Sequence, residues 1–246
     1  MTGTAAASTT PGPISPSDSA LLRIGSISSV LGLVVGGVTI YFHGGMQPEN
    51  LQVVLPQYAA NEHWELVHFV QFVADMLLLV GFVALYRSIT AVTTGVSAIF
   101  ARLGIIVAVV AEAIYGANQA VDGVAIKFVA KQWVNASAAE KADALRVADA
   151  VRHIEIGLSS VWTLSGGIAL LLFGLAIALG CTYPKALGWT AIVIGVLQIA
   201  NSFNLAHHGF VVSPLGLAGL LIVPWTLALA ACLWGKAERF RRGHIA

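Results

Sequence analysis

Six apolar runs dominate this chain of 246 residues, at roughly 21–42, 64–86, 99–126, 154–181, 187–208 and 214–235. A helix rises 1.5 Å per residue, so about 20 apolar residues cross the ~30 Å hydrocarbon core of a bilayer. Each run meets that length. Lipid offers the backbone no hydrogen bonds, and a helix satisfies its own. The strict alternation of barrel strands is missing from all six runs. The expected fold is all-α, a polytopic membrane helical bundle with six transmembrane helices. Composition agrees: charged residues make up 10% of the chain, where a soluble domain carries about a quarter, and mean hydropathy is +0.83. Too few charges are left to solvate a soluble enzyme. A net charge of +1 without a basic patch excludes nucleic acid as a partner and leaves the lipid bilayer. Further membrane subunits or a second copy are the remaining candidate partners.

The runs divide the chain into three parts. Residues 1–20 are small, polar and Pro-rich, without Lys or Arg, and read as a disordered cytoplasmic tail. They lack the basic start of a cleavable signal peptide. Residues 21–235 form the six-helix domain, and residues 236–246 form a basic cytoplasmic tail containing RFRRGH. Of the 13 Lys and Arg residues, eight fall on the side of the termini and five on the other. Positive charge collects inside, so both termini are expected in the cytoplasm of a bacterial cell. Cys181 and Cys232 then face a reducing compartment and form no bridge. The longer connections, between runs one and two and between runs three and four, lie outside. The second holds Ser137 and Glu140 at capping-box spacing, so a helix is expected to start there and run into the fourth crossing. Gly32 and Gly36 allow a close helix contact inside the bundle, and Pro224 should kink the last helix.

Polar side chains inside the runs carry the functional signal. Trp64, His68, Gln71 and Asp75 share one face of the second helix. Glu112, Tyr115, Gln119 and Asp122 share one face of the third, and Gln198, Asn201, Asn204 and His208 nearly do so on the fifth. Asp75 is seven residues, about 10 Å, deeper than His68, and Glu112 is equally central. A carboxylate at that depth costs a few kcal/mol, and no Lys or Arg is expected there to pair with it. The stripes are therefore expected to face a polar cavity open to the outside. Its candidate lining is Gln71, Asp75, Glu112, Tyr115, Gln119, Asp122, Gln198, Asn201 and Asn204. Taken alone, the amides of the fifth helix read as interhelical hydrogen-bond glue.

The outer half is also rich in histidine. His68, His153 and His208 lie at similar depth, with Glu65 and Glu155 nearby, and His43 ends the first helix on the same side. Such a set suits zinc or copper, or a b-type haem held by two histidines with Arg152 at a propionate. The competing reading leaves these histidines uncoupled at the membrane interface. No nucleotide-binding, hydrolase or haem-attachment motif is present, so no enzymatic activity is assigned.

The segments ARLGIIVAVVAEAIYGA and TLSGGIALLLFGLAIALG, followed by Tyr183-Pro184-Lys185 before Leu187-Gly188-Trp189, resemble a family of bacterial six-helix membrane proteins of unknown function. The resemblance spans most of the chain and implies the architecture. Three functions then compete. One is a protein whose cavity binds a small amphiphile, lipid or partner. The second is a redox or metal protein using the outer histidines. The third is an ion or proton pathway through Asp75 and Glu112.

Overall fold

A computed structural model describes residues 16–43 and 50–241, and among these every element is helical. The tail read at residues 1–20 lies outside the described residues up to residue 15, as does the C-terminal segment after residue 241. The elements are α1 (Pro16–His43), α2 (Leu51–Ala60), α3 (Trp64–Thr90), α4 (Val96–Ala120), α5 (Lys127–Asn135), α6 (Lys141–Leu179), α7 (Lys185–His208), α8 (Pro214–Ala218) and α9 (Ile222–Arg241). A π turn, Val121–Ile126, joins α4 to α5, and a 3-10 turn, Gly219–Leu221, joins α8 to α9. Six continuous helical stretches are long and apolar enough to span a membrane.

The spanning helices pack side by side in the order α9, α1, α3, α4, α6, α7 and back to α9. Small residues bring them close. A Cβ on Gly167 of α6 would lie 2.9 Å from the Gly195 carbonyl oxygen of α7, so only glycine permits that spacing. Gly32 does the same for α1 on α3, where a Cβ would meet the Ala74 carbonyl at 2.7 Å. The glycine pair of the first run is thus a contact within the bundle.

The two ends of the bundle differ. Towards the termini the core is dry, built on Leu22, Leu85, Ile89, Phe173, Trp225 and Leu233, and Phe82 stacks between Phe173 and Trp225. Ion pairs Arg87–Asp18 (2.7 Å) and Arg23–Glu238 (2.7 Å) tie its rim. At the opposite end a second core forms from Val54, Leu55, Tyr58, Trp64, Ile126, Val129 and Ala148. The α4–α5 stretch runs 40 residues. At 1.5 Å each that is about 60 Å, twice the hydrocarbon thickness, so α5 and the first turns of α6 stand clear of the membrane with α2.

Helix α2 departs from the sequence reading, which leaves residues 43–63 as a connection. Asn50 starts it, its side chain accepting from Gln52 N at 3.0 Å, and Val54, Leu55 and Tyr58 give it a buried face. Its C-terminal carbonyls are capped by a buried ammonium. Lys127 Nζ donates to Tyr58 O (2.7 Å), to Ala59 O (3.1 Å) and to Asn61 O. The last apolar run stays one continuous helical stretch, Pro214–Arg239, and tightens into a 3-10 turn at Gly219–Leu221 just before Pro224. The proline ring clashes with the carbonyl four residues back and offers no amide, so the preceding turn tightens. Helix α6 starts just after the Ser137–Glu140 pair, with Glu140 at its N-cap and no side-chain capping hydrogen bond, and runs 39 residues into the fourth crossing.

Candidate functional site

The end of the bundle that bears His43 holds a cavity of about 640 Å³. It lies between α1, α3, α4, α6, α7 and α8. Polar wall residues are His43, Gln71, Tyr115, Asn118, Gln119, Asp122, Glu155, Ser159, Asn201 and Asn204. Ile40, Leu205, Leu217 and Leu220 supply an apolar part. Six of the nine residues read from sequence as lining are therefore here: Gln71, Tyr115, Gln119, Asp122, Asn201 and Asn204. The helical face explains this, because α4 turns one stripe inward and that stripe has nowhere apolar to go.

The other three sit elsewhere. Asp75 and Glu112 are outside the lining and lie beside each other. A hydrogen bond between two carboxyls needs a proton on at least one of them. Gln198 lies against Gly219, outside the lining.

The histidines regroup. Among the described residues, the cluster able to hold a metal ion is His43, His68 and Asp122, whose ligand atoms all lie within 4.8 Å of one another. Asp122 Oδ2 is 3.0 Å from His68 Nε2 and 3.9 Å from His43 Nε2. His68 is 1% exposed. His153 does not join it. Its ring is exposed and hydrogen-bonds the Asp149 carbonyl of its own helix at 2.8 Å. His208 is exposed at the end of α7. Glu65 pairs with Lys131 at 3.9 Å. Glu155 is fully buried, but its partner is Arg152 (3.0 Å), whose other amino group donates to the Tyr58 hydroxyl at 3.0 Å. That occupies the guanidinium which a haem propionate would need. His43 and His68 have ring centroids 5.0 Å apart with an Asp122 oxygen between them, which leaves no slot for a macrocycle.

Local structure makes the cluster. The π turn starts at Val121 and presents Asp122 towards α3. Such turns recur at functional sites because they re-aim side chains out of the α register. Gly123, next in the chain, lets α3 press in, since a Cβ there would lie 2.6 Å from His68 Cβ. Trp64 Nε1 donates to the Asp122 carbonyl at 2.8 Å, and its ring packs on His43, His68 and Tyr58. Burial there pushes the Tyr58 phenol up to about 12, against the opposing pull of Arg152.

Unsatisfied polar atoms concentrate here. His68 Nε2, Asp122 Oδ1, Gln119 Oε1 and Glu155 Oε2 are buried without a hydrogen-bond partner. Each such atom costs about 1–3 kcal/mol unless something satisfies it, so their clustering marks a place for a ligand or cation. Sequence reasoning missed His43 as a member. Its signal was its place at the outer end of the first helix, level with His68. Comparison with protein-family models, with curated proteins and with solved structures finds no match to this chain, so the six-helix family suggested by its motifs stays a resemblance.

Proposed function

We propose that this integral membrane protein binds a small amphiphile in the cavity, with its polar head at the Gln119–Asp122–Asn201 wall and its apolar body along Ile40, Leu217 and Leu220. One observation carries the reading: a cavity of about 640 Å³ whose wall includes three residues with unsatisfied buried oxygens, Gln119, Asp122 and Glu155. Its size falls in the ~300–1,000 Å³ range of small-molecule sites. Ile40, Leu217 and Leu220 are exposed on the flank of the bundle, so a ligand enters sideways from the bilayer between α1 and α8. The excess of Lys and Arg on the terminal side orients both termini to the cytoplasm and the cavity to the outer leaflet.

The pathway reading has one supporting observation, the Asp75–Glu112 pair at the foot of the polar stripe. The dry core of Phe82, Phe173 and Trp225 fills the other half, so the stripe ends at the pair. A dead-end favours binding over transit.

The test is solvent extraction of the protein purified from its own membrane, with mass spectrometry of the extract. The expected result is one compound, recovered at one equivalent, and lost from Thr163→Phe. Thr163 lines the cavity, and its hydroxyl bonds only the Ser159 carbonyl of its own helix, so the ring fills space without breaking the wall. An extract holding only bulk lipid, the same for both proteins, overturns the reading.

A further inference from the structure

We infer that His43, His68 and Asp122 hold a divalent transition-metal ion, with zinc the best fit, on the wall of the cavity. The chemistry starts at His68. Its Nδ1 is 2.7 Å from the Trp64 carbonyl oxygen, an acceptor only, so Nδ1 carries the proton and donates. The lone pair of neutral imidazole then sits on Nε2. That atom faces Asp122 Oδ2 at 3.0 Å, which is also an acceptor when ionised. Two acceptors do not attract each other without a cation between them. The surroundings agree, because His68 Nε2 and Asp122 Oδ1 are both buried without a hydrogen-bond partner.

Either a proton or a metal ion can fill that position, and the third group favours the metal. A proton between His68 and Asp122 needs no second imidazole. Yet His43 is brought to 3.9 Å from the same carboxylate oxygen, by a different helix. Tetrahedral zinc with bonds of 2.0–2.1 Å sets its ligands about 3.3 Å apart. The three separations bracket that value, none exceeding 4.8 Å. Two imidazoles and a carboxylate form a borderline donor set that suits zinc, and a backbone carbonyl behind the ligating imidazole is the usual outer support of such a site. Gly123 and the π turn make the approach possible. They cost helix regularity, as turns of this kind do where they re-aim side chains at a functional site.

Three protein ligands leave the fourth position open, the arrangement of reactive rather than purely structural zinc. His43 and Asp122 line the cavity and His68 does not, so the open position faces the cavity. If the proposed amphiphile binds there, an oxygen or nitrogen of its head completes the coordination. This last step rests on the cavity reading, whereas the metal site does not.

The experiment uses full-length protein in detergent, with any affinity tag removed because polyhistidine binds the same ions. Metal content is measured as purified. The protein is then stripped with chelator and titrated with zinc against a chromophoric competitor. Cobalt serves as a second probe, read by the visible absorption of a four-coordinate centre. The expected result is one equivalent of zinc and a four-coordinate cobalt spectrum. His68→Ala, Asp122→Asn and His43→Gln should each weaken zinc by more than about 100-fold, beyond what loss of an outer support costs. His153→Ala and His208→Ala should bind as wild type. Absence of a stoichiometric zinc site in the wild-type protein overturns the inference, with no variant needed. Tight binding that survives in folded His43→Gln and Asp122→Asn overturns it equally. Extract analysis of the same samples separates the two proposals, since metal without an organic ligand leaves this site standing and refutes the cavity reading alone.

Discussion

Gly123→Ala is the sharpest structural prediction, because one methyl group meets the packing that builds the cluster. The added Cβ would lie 2.6 Å from His68 Cβ and 3.0 Å from its Cγ. Ordinary contact begins near 3.4 Å, so the π turn or α3 must move by about 0.8 Å. Neither atom belongs to a flexible tip. Overpacking of this kind costs about 1–3 kcal/mol, and alanine returns about 0.5–1 kcal/mol by restricting the unfolded chain. The net expectation is roughly 1–2 kcal/mol of destabilisation, or about 2–8 °C in the unfolding midpoint for a chain of this size. Gly157→Ala is the control, because a Cβ there meets open space on the regular helix α6. It should leave the midpoint unchanged or raise it. The assay is thermal unfolding of both variants in one detergent, followed by zinc titration. Gly123→Ala should lose zinc affinity as well as stability, since α3 carries His68. If Gly123→Ala unfolds with Gly157→Ala and binds zinc as wild type, α3 does not press on the π turn as described.

Arg152→Met leaves the Glu155 carboxylate buried without its partner and should cost about 3–5 kcal/mol, whereas Arg152→Met with Glu155→Met should recover most of it, as a double-mutant cycle of unfolding free energies will show. A hydrogen bond between the Asp75 and Glu112 carboxyls needs a proton, so Asp75→Asn and Glu112→Gln should be nearly silent in stability, and the infrared carbonyl band of a protonated carboxylic acid should vanish in Glu112→Gln. Tyr58, held up at about 12 by burial, keeps its proton above the pH where an unfolded tyrosine loses it. Its contribution to stability is complete below about pH 10 and is lost as pH rises from there towards 12, so Tyr58→Phe should flatten that alkaline slope.

The sequence shows which residues share a face, and that reached the fold and most of the cavity. On α4, Glu112, Tyr115 and Gln119 repeat at helical spacing, so their common side follows from the repeat alone, and Asp122 continues the stripe into the π turn. Depth along a helix was readable for the same reason. The direction in which an isolated residue points was not. His153 was level with His68, but Arg152 and Glu155 turn that part of α6 inward and leave His153 about 100° away. Helix α2 escaped notice because its buried face is one turn of Val54, Leu55 and Tyr58, too short to show a period. Lys127 reads as a flanking charge until the π turn is known. Bonding from residue i to i+5 widens that turn and brings Lys127 under α2, where it caps three carbonyls. His43 depends on a tertiary contact between α1 and α3 that no local pattern encodes.

The central claim is that the polar stripes converge on a site that something occupies. A density map of the protein, purified from its native membrane without chelator and held in a lipid disc, tests it most directly. The account predicts a compact peak within bonding distance of His43 Nε2, His68 Nε2 and Asp122 Oδ2, and elongated density running from there between Gln119 and Asn201 towards Ile40 and Leu220. A collapsed cavity, with Gln119 and Asn201 hydrogen-bonded to each other and His68 bonded directly to Asp122 with His43 turned away, would contradict it.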